Sequence, residues 1–207
     1  MRIASIILNS IIVIVMSIVT VSFFEKDGKW SLANGRRPLK YFTFLSNVLC
    51  AVGALLIIFF PTVYPIWILK YMGTAAVTVT MVTVLVFLGP ALGFKRVLTG
   101  RDFWLHLVNP ILAIVSFTVC ERTTLTAWNK IMPHNVFGVP AALWGMLPVV
   151  LYGLLYGYKV MLAPEGKRWD DLYGFNKGGK WYISVVLMLL GTAVICAVYW
   201  AVMYFLA

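Results

Sequence analysis

Charged residues are scarce in this chain of 207 residues: only 12% are Asp, Glu, Lys or Arg, whereas 62% are hydrophobic. A soluble domain carries about 25% charged and roughly 45–50% apolar residues. A soluble fold of this length has too little interior to bury so many apolar side chains, so lipid must be the solvent for most of the chain. The mean hydropathy of +0.92 likewise indicates a chain that is mostly surrounded by lipid. This composition excludes a disordered chain, a collagen-like fibre and a cytosolic globular enzyme.

Cysteine is also scarce, and the usual motifs for metals and cofactors are missing. Cys50, Cys120 and Cys196 are odd in number and lie within apolar runs, which is typical of small buried hydrophobic residues and not of a disulfide framework. The sequence has no Cys/His metal spacing, no HExxH, no GxSxG and no phosphate-binding P-loop. We therefore expect neither a metal ion nor a cofactor.

Acidic residues are few: seven Asp and Glu stand against 17 Lys and Arg, which gives a net charge of +10. In a soluble protein such an excess suggests nucleic acid as the partner. Here the basic residues lie in short segments between hydrophobic stretches, where they contact anionic lipid headgroups and set the orientation of the chain. We therefore expect a lipid bilayer as the partner and no nucleic acid.

Long apolar runs are abundant, in contrast. A helix that crosses a bilayer needs about 20 mostly apolar residues, and six segments meet this rule. They cover residues 3–24, 41–63, 67–92, 102–120, 140–162 and 181–206. The sequence thus predicts an all-α polytopic membrane protein, a six-helix bundle in a single domain of residues 1–207. Tyr64–Pro65 is predicted as a tight turn, and Pro90, Pro110 and Pro148 as kinks or as markers of cavities.

Basic residues are spread unevenly over the connections between these helices. The first, third and fifth connections, with the residues beside them, hold 13 of the 17 Lys and Arg. By the positive-inside rule, the odd-numbered connections face the cytoplasm and both termini lie outside. In a prokaryotic host the membrane would be the plasma membrane.

Polar side chains gather at the start of the second and the fourth predicted helix. Their spacing places each set on one helix face: Thr43, Ser46 and Asn47 in the second helix, and Asp102, His106 and Asn109 in the fourth. Both helices start from the same side of the membrane, and at 1.5 Å per residue Thr43 and His106 lie at similar depths. Because polar groups are costly inside a membrane helix, they are functional candidates.

These residue types match the general arrangement of a nucleophile, a base and an orienting group. We predict Thr43 as the nucleophile, His106 as the general base and Asp102 as the carboxylate that orients the imidazole. Three further side chains are expected to bind the substrate through its oxyanion: Ser46, Asn47 and Asn109. Structural alternatives are a hydroxyl bonded to its own helix for Thr43, a helix cap for Asp102 and hydrogen-bonded bridges between helices for the two asparagines.

Two more features lie in the connections. We expect a basic rim to bind the carboxylate of a lipid substrate at the level of the headgroups; its members are Arg36, Arg37, Lys40, Arg96 and Arg101. The fifth connection mixes acids, aromatics and glycines over residues 169–179. A lid over the cytoplasmic mouth and a solvated turn are both compatible with that composition.

Several of these segments resemble a known family. The stretch Tyr41–Asn47, together with an intramembrane His106 in a six-span chain of this length, resembles the androgen-induced protein family. The stretches His106–Pro110 and Asp171–Phe175 are similar to bacterial membrane proteins related to that family. Its animal members are integral-membrane threonine hydrolases that cleave fatty acid esters of hydroxy fatty acids. The resemblance implies Thr43 as nucleophile and His106 as catalytic histidine, although Ser46 stands where the animal proteins have an asparagine.

The sequence therefore predicts an intramembrane hydrolase whose substrate is a membrane lipid or fatty acid ester. The alternative is a carrier or binder of an amphipathic acid or lipid, which would use the same polar cavity without cleaving a bond. Kinks at the three intrahelical prolines favour that alternative, because broken helices are common in transporters.

Overall fold

The computed structural model describes residues 2–121, 135–136 and 139–205. The long helices are α1 (Arg2–Ser22), α3 (Phe42–Phe59), α4 (Tyr64–Leu92), α6 (Arg101–Glu121), α7 (Ala141–Leu162) and α8 (Trp181–Phe205). The short helices are α2 (Leu32–Arg36) and α5 (Phe94–Val97). Two-residue strands form antiparallel ribbons, β1 (Glu25–Lys26) with β2 (Lys29–Trp30) and β3 (Asn135–Val136) with β4 (Val139–Pro140).

Within the described residues, six helices are long and apolar enough to cross a membrane. The chain is therefore an all-α, multi-pass membrane protein, as predicted. The predicted turn at Tyr64–Pro65 is wrong, because α4 already begins at Tyr64. Pro65 lies in the first turn of the helix, where its missing N–H costs no helical hydrogen bond. The predicted end of the last helix at residue 206 falls outside the described residues, as does most of the fourth connection.

The helices α3 and α4 pack with their backbones almost in contact. A Cβ atom on Gly53 would lie 2.9 Å from the Cα of Lys70, and one on Gly73 would lie 2.7 Å from the Cα of Cys50. Glycine is required at such an approach, as is usual where membrane helices meet. The buried residues Ile12, Cys50, Ala54, Val77 and Ala113 then join α1, α3, α4 and α6 into one core.

Two of the predicted kinks appear as wide, π-helical segments. Val84–Leu88 precedes Pro90 in α4, and Trp104–Val108 precedes Pro110 in α6. Proline has no N–H to donate, and its ring clashes with the carbonyl four residues before it. A wider turn relieves the clash; in α6 the N–H of Asn109 bonds the carbonyl of Trp104, five residues back. His106 lies inside this π segment, a feature frequent at functional sites.

The chain order places the odd-numbered connections at one end of the bundle. We call the end that carries residues 23–41, 93–100 and 163–180 the basic end. Arg101 links the start of α6 to the end of α1 there, because its guanidinium donates to the carbonyl of Ser22 at 2.9 Å. Tyr152 links α7 to the first connection by donating to the carbonyl of Lys40 at 2.8 Å. The starts of α3 and α6, with the predicted site residues, lie at this end.

Candidate functional site

Asn47 joins the two helices that carry the predicted site. Its buried side chain donates from Nδ2 to the carbonyl of Thr43 at 2.7 Å and to the carbonyl of Leu105 at 3.0 Å. Its Oδ1 accepts a hydrogen bond from Nδ2 of Asn109 at 2.6 Å. Because one amide nitrogen bonds both carbonyls, the backbone of Thr43 in α3 adjoins the backbone of α6 at the residue before His106.

The chemistry of proline explains why Asn47 bonds a helix carbonyl at all. In the π segment of α6, the donor for the carbonyl of Leu105 would be residue 110, which is a proline and has no N–H. The amide of Asn47 supplies the donor from the neighbouring helix. Pro110 therefore leaves the carbonyl of Leu105 without a donor from its own helix, and the hydrogen bond from Asn47 to this carbonyl fixes α3 to α6.

His106 is buried, with 9% of its surface exposed, and its Nδ1 lies 2.7 Å from the carbonyl of Val97. A carbonyl only accepts hydrogen bonds, so Nδ1 carries the proton and Nε2 keeps its lone pair in the neutral ring. That tautomer is the one a general base needs.

Asp102 does not hold the orienting position that the sequence analysis gave it. Its side chain is exposed and makes no hydrogen bond or ion pair within the part of the chain that the structure describes. The Nδ1 atom of His106 bonds the carbonyl of Val97 instead. Val97 is buried in the third connection, and a main-chain oxygen has no signature in the sequence.

Thr43 lies half-buried in the first turn of α3. Its carbonyl accepts from Oγ of Ser46 at 3.0 Å as well as from Asn47. The hydroxyl of Ser46 also bonds that of Thr80 at 3.0 Å, which fixes α3 to α4. Ser46, Asn47 and Asn109 therefore all bridge helices in this structure, and they surround the backbone of Thr43 and the turn before His106.

Tyr173, from the fifth connection, lies directly beside Thr43. The N–H of Phe42 donates to its hydroxyl oxygen at 3.2 Å. Burial raises the pKa of Tyr173, and hydrogen bonds with Tyr152, the N–H of Phe42 and the hydroxyl of Thr43 offset part of that effect. The hydroxyl therefore stays protonated near neutral pH. Sequence reasoning did not include Tyr173 among the site residues, although the Asp171–Phe175 segment was noted.

Asp171 folds the fifth connection onto the end of α7. Its Oδ1 accepts from the N–H of Phe175 at 2.7 Å and from the hydroxyl of Tyr156 at 3.2 Å, and its Oδ2 accepts from the N–H of Asn176 at 2.8 Å. Phe175 is buried by this turn. Residues 169–179 are mostly exposed, with Phe175 buried, so this connection is a largely solvated segment that Asp171 fixes to α7.

The side chains of the basic rim differ in their surroundings. Outside α6, its exposed arginines are Arg36, Arg37 and Arg96. The ammonium of Lys40 lies over the ring of Tyr41, 5.1 Å from its centroid. Arg101 stacks on Phe23 at 4.6 Å besides bonding the carbonyl of Ser22, so it fixes α1 to α6. All five stand at the basic end, where α3 and α6 begin.

A second buried polar cluster lies at the opposite end of the bundle, and the sequence analysis did not identify it. Lys70 and Glu121 are 0% and 1% exposed, and their Nζ and Oε1 atoms lie 3.8 Å apart. Asn9 bridges them: its Nδ2 donates to Oε1 of Glu121 at 2.6 Å, and its Oδ1 accepts from Nζ of Lys70 at 2.7 Å. The hydroxyls of Ser5 and Ser116 also donate to Glu121. The cluster thus ties α1, α4 and α6 together.

We expect Asn47→Leu to destabilise the bundle by about 2 kcal/mol, because it leaves two carbonyls and the amide of Asn109 without their partner. The free energy of unfolding, measured by denaturant titration in mixed micelles, checks this. Asn34→Leu is the control, since the hydrogen bonds of Asn34 in this structure come from its backbone. Equal losses in the two variants would contradict the bridging role of Asn47.

Comparison with known proteins assigns no function to these residues. No family model, curated protein or solved structure matches the chain.

Proposed function

We propose that this chain is an intramembrane lipid ester hydrolase with Thr43 as nucleophile and His106 as general base. The observation that supports it most is the double hydrogen bond of Asn47, which holds the backbone of Thr43 beside that of Leu105. The carbonyl of Val97 at Nδ1 of His106 adds to it, because it leaves Nε2 as the basic atom. The resemblance to the androgen-induced protein family assigns the same two residues.

The proposed reaction has two balanced steps. Oγ of Thr43 attacks the ester carbonyl while its proton moves to Nε2 of His106; the intermediate then expels the alcohol, which takes that proton. Water next attacks the acyl group on Thr43, gives one proton to His106 and releases the free acid. The proton returns from His106 to Oγ of Thr43. The hydroxyl of Tyr173, which accepts from the N–H of Phe42 beside Thr43, would donate to the developing oxyanion.

The basic end sets the membrane face and the substrate class. With 13 of the 17 Lys and Arg in or beside the odd-numbered connections, this end faces the cytoplasm and both termini lie outside. In a prokaryotic host the protein would lie in the plasma membrane. Arg36, Arg37 and Arg96 would attract a lipid with a free carboxylate, whose ester then reaches Thr43 from the inner leaflet.

The first test of this function is direct. The purified protein in nanodiscs is incubated with a panel of fatty acid esters and the products are identified by mass spectrometry. A fluorophosphonate probe is applied in parallel, and the modified peptide is sequenced. We expect hydrolysis and a covalent adduct on Thr43, both lost in Thr43→Ala, because the nucleophile is then absent.

Thr118→Ala is the matched control, since Thr118 is a half-buried helix threonine whose hydroxyl bonds the carbonyl of Ile114 at 2.7 Å. It should keep both activities. Turnover that persists in Thr43→Ala would remove this residue from the mechanism. Uptake of an intact amphipathic acid into proteoliposomes, with no cleavage of any ester, would make the chain a carrier instead.

A further inference from the structure

An open groove of about 250 Å³ lies between α3 and α7. Its α3 wall extends from Phe42 to Leu49, and its α7 wall from Pro148 to Leu155. Seven residues of α-helix rise about 10 Å, so the groove reaches from the basic end well into the hydrocarbon layer. With about 250 Å³, it is smaller than the usual small-molecule site of about 300–1,000 Å³.

The walls of the groove are suited to an apolar chain. They consist of aliphatic and aromatic side chains apart from Ser46, whose hydroxyl is bonded to Thr80 and to the carbonyl of Thr43. Leu151 and Leu155 on the α7 side are exposed. In a bilayer, such exposed leucines face lipid, so the groove is accessible from the membrane.

The end of the groove nearest the basic end is lined by Phe42 and Tyr152, and Phe42 is the residue before the proposed nucleophile. The rings of Phe42 and Tyr152 meet there with centroids 5.0 Å apart, and Tyr173 packs on Tyr152 at 6.4 Å. The hydroxyl of Tyr173 accepts from the N–H of Phe42, the residue before Thr43, at 3.2 Å. Tyr152 also donates to the carbonyl of Lys40, which places the main chain before α3 at the same point.

We propose that this groove binds the acyl chain of the ester substrate, with the ester carbonyl at Thr43 and the chain directed toward Leu49 and Pro148. An apolar channel that ends beside the hydroxyls of Tyr152 and Tyr173 matches an amphipathic ligand with an ester or carboxylate head. Longer chains leave the groove sideways into lipid, past Leu151. This inference rests on the proposed function for the position of the ester, whereas the binding of the chain is testable by itself.

Chain-length selectivity is the first test. We expect Leu49→Trp, which fills the inner end of the groove, to lower kcat/KM for long-chain relative to short-chain esters by about tenfold or more. Leu49→Ala enlarges the groove and should shift the preference toward longer chains. This second variant keeps the test decisive if the tryptophan variant does not fold. Leu55→Trp, on an exposed face of α3 outside the groove, should change neither. An unchanged ratio in both Leu49 variants overturns the proposal.

Photo-crosslinking in the Thr43→Ala background tests the groove without catalysis. A long-chain fatty acid ester with a diazirine near its methyl end is irradiated in phosphatidylcholine nanodiscs, and the labelled peptides are mapped. We expect saturable labelling of residues 45–49 and 148–151, removed by unlabelled ester and by Leu49→Trp. Labelling spread over all lipid-facing helices and diluted by added phosphatidylcholine overturns the groove. If the wild-type protein hydrolyses no ester but the labelling is saturable, the groove stands and the hydrolase does not.

Discussion

Replacing Lys70 by methionine should destabilise the folded bundle by about 3–5 kcal/mol, because it removes one partner of a buried ion pair. Lys70 and Glu121 are almost fully buried, and Nζ of Lys70 lies 3.8 Å from Oε1 of Glu121. Asn9 and two serines donate to the same oxygen atom, but their neutral hydrogen bonds do not cancel a charge in a low-dielectric interior. The free energy of unfolding in mixed micelles measures the loss.

The double variant Lys70→Met/Glu121→Met separates this effect from lost packing. Replacing both partners of a buried ion pair by apolar residues is often close to neutral, so the double variant should regain most of the stability. Lys95→Met, at an exposed lysine of the basic end, is the control for a change in net charge. If the double variant is as unstable as the single one, the charge of Glu121 is not the cause.

The six long helices were predictable because the signal is long and physical. Each span needs about 20 apolar residues, and that requirement leaves little freedom in where a helix lies. The errors are at the ends. Pro65 by itself suggests a turn, yet it lies in the first turn of α4. Backbone N–H groups in the first turn of a helix have no partner within the helix, so a proline there loses no hydrogen bond. Glu121 was placed in a connection because it is charged, whereas Asn9 and Lys70 stabilise it inside the end of α6.

The candidate site was predictable only as far as side-chain spacing goes. The positions of Thr43 and Asn47, one turn apart, put both at the start of α3, and Pro110 marked the α6 segment that departs from regular helix. The partner of His106 was not predictable, because it is a main-chain oxygen of Val97 from another segment. Tyr173 was also missed, since 130 residues separate it from Thr43 and only the folded connection brings it there.

Replacing His106 by alanine should lower kcat for ester hydrolysis by about 10²–10⁴-fold, the usual contribution of a general base. Oγ of Thr43 would then have to lose its proton without an acceptor at the reacting end of the site. The measurement is kcat with the best ester of the panel, together with the fluorophosphonate labelling rate of Thr43. His134→Ala, at the other histidine of the chain, is the matched control and should retain activity.

Asp102→Asn then distinguishes the two possible orienting groups. Where a carboxylate orients the catalytic histidine, changing it to the amide costs about 10⁴-fold in kcat. Because the carbonyl of Val97 bonds Nδ1 of His106 and the side chain of Asp102 is exposed, we expect Asp102→Asn to stay about as active as the wild type. A loss comparable to that of His106→Ala would restore Asp102 to the mechanism. If His106→Ala retains wild-type kcat while Thr43→Ala is inactive, the base is another group and the proposed role of His106 is wrong.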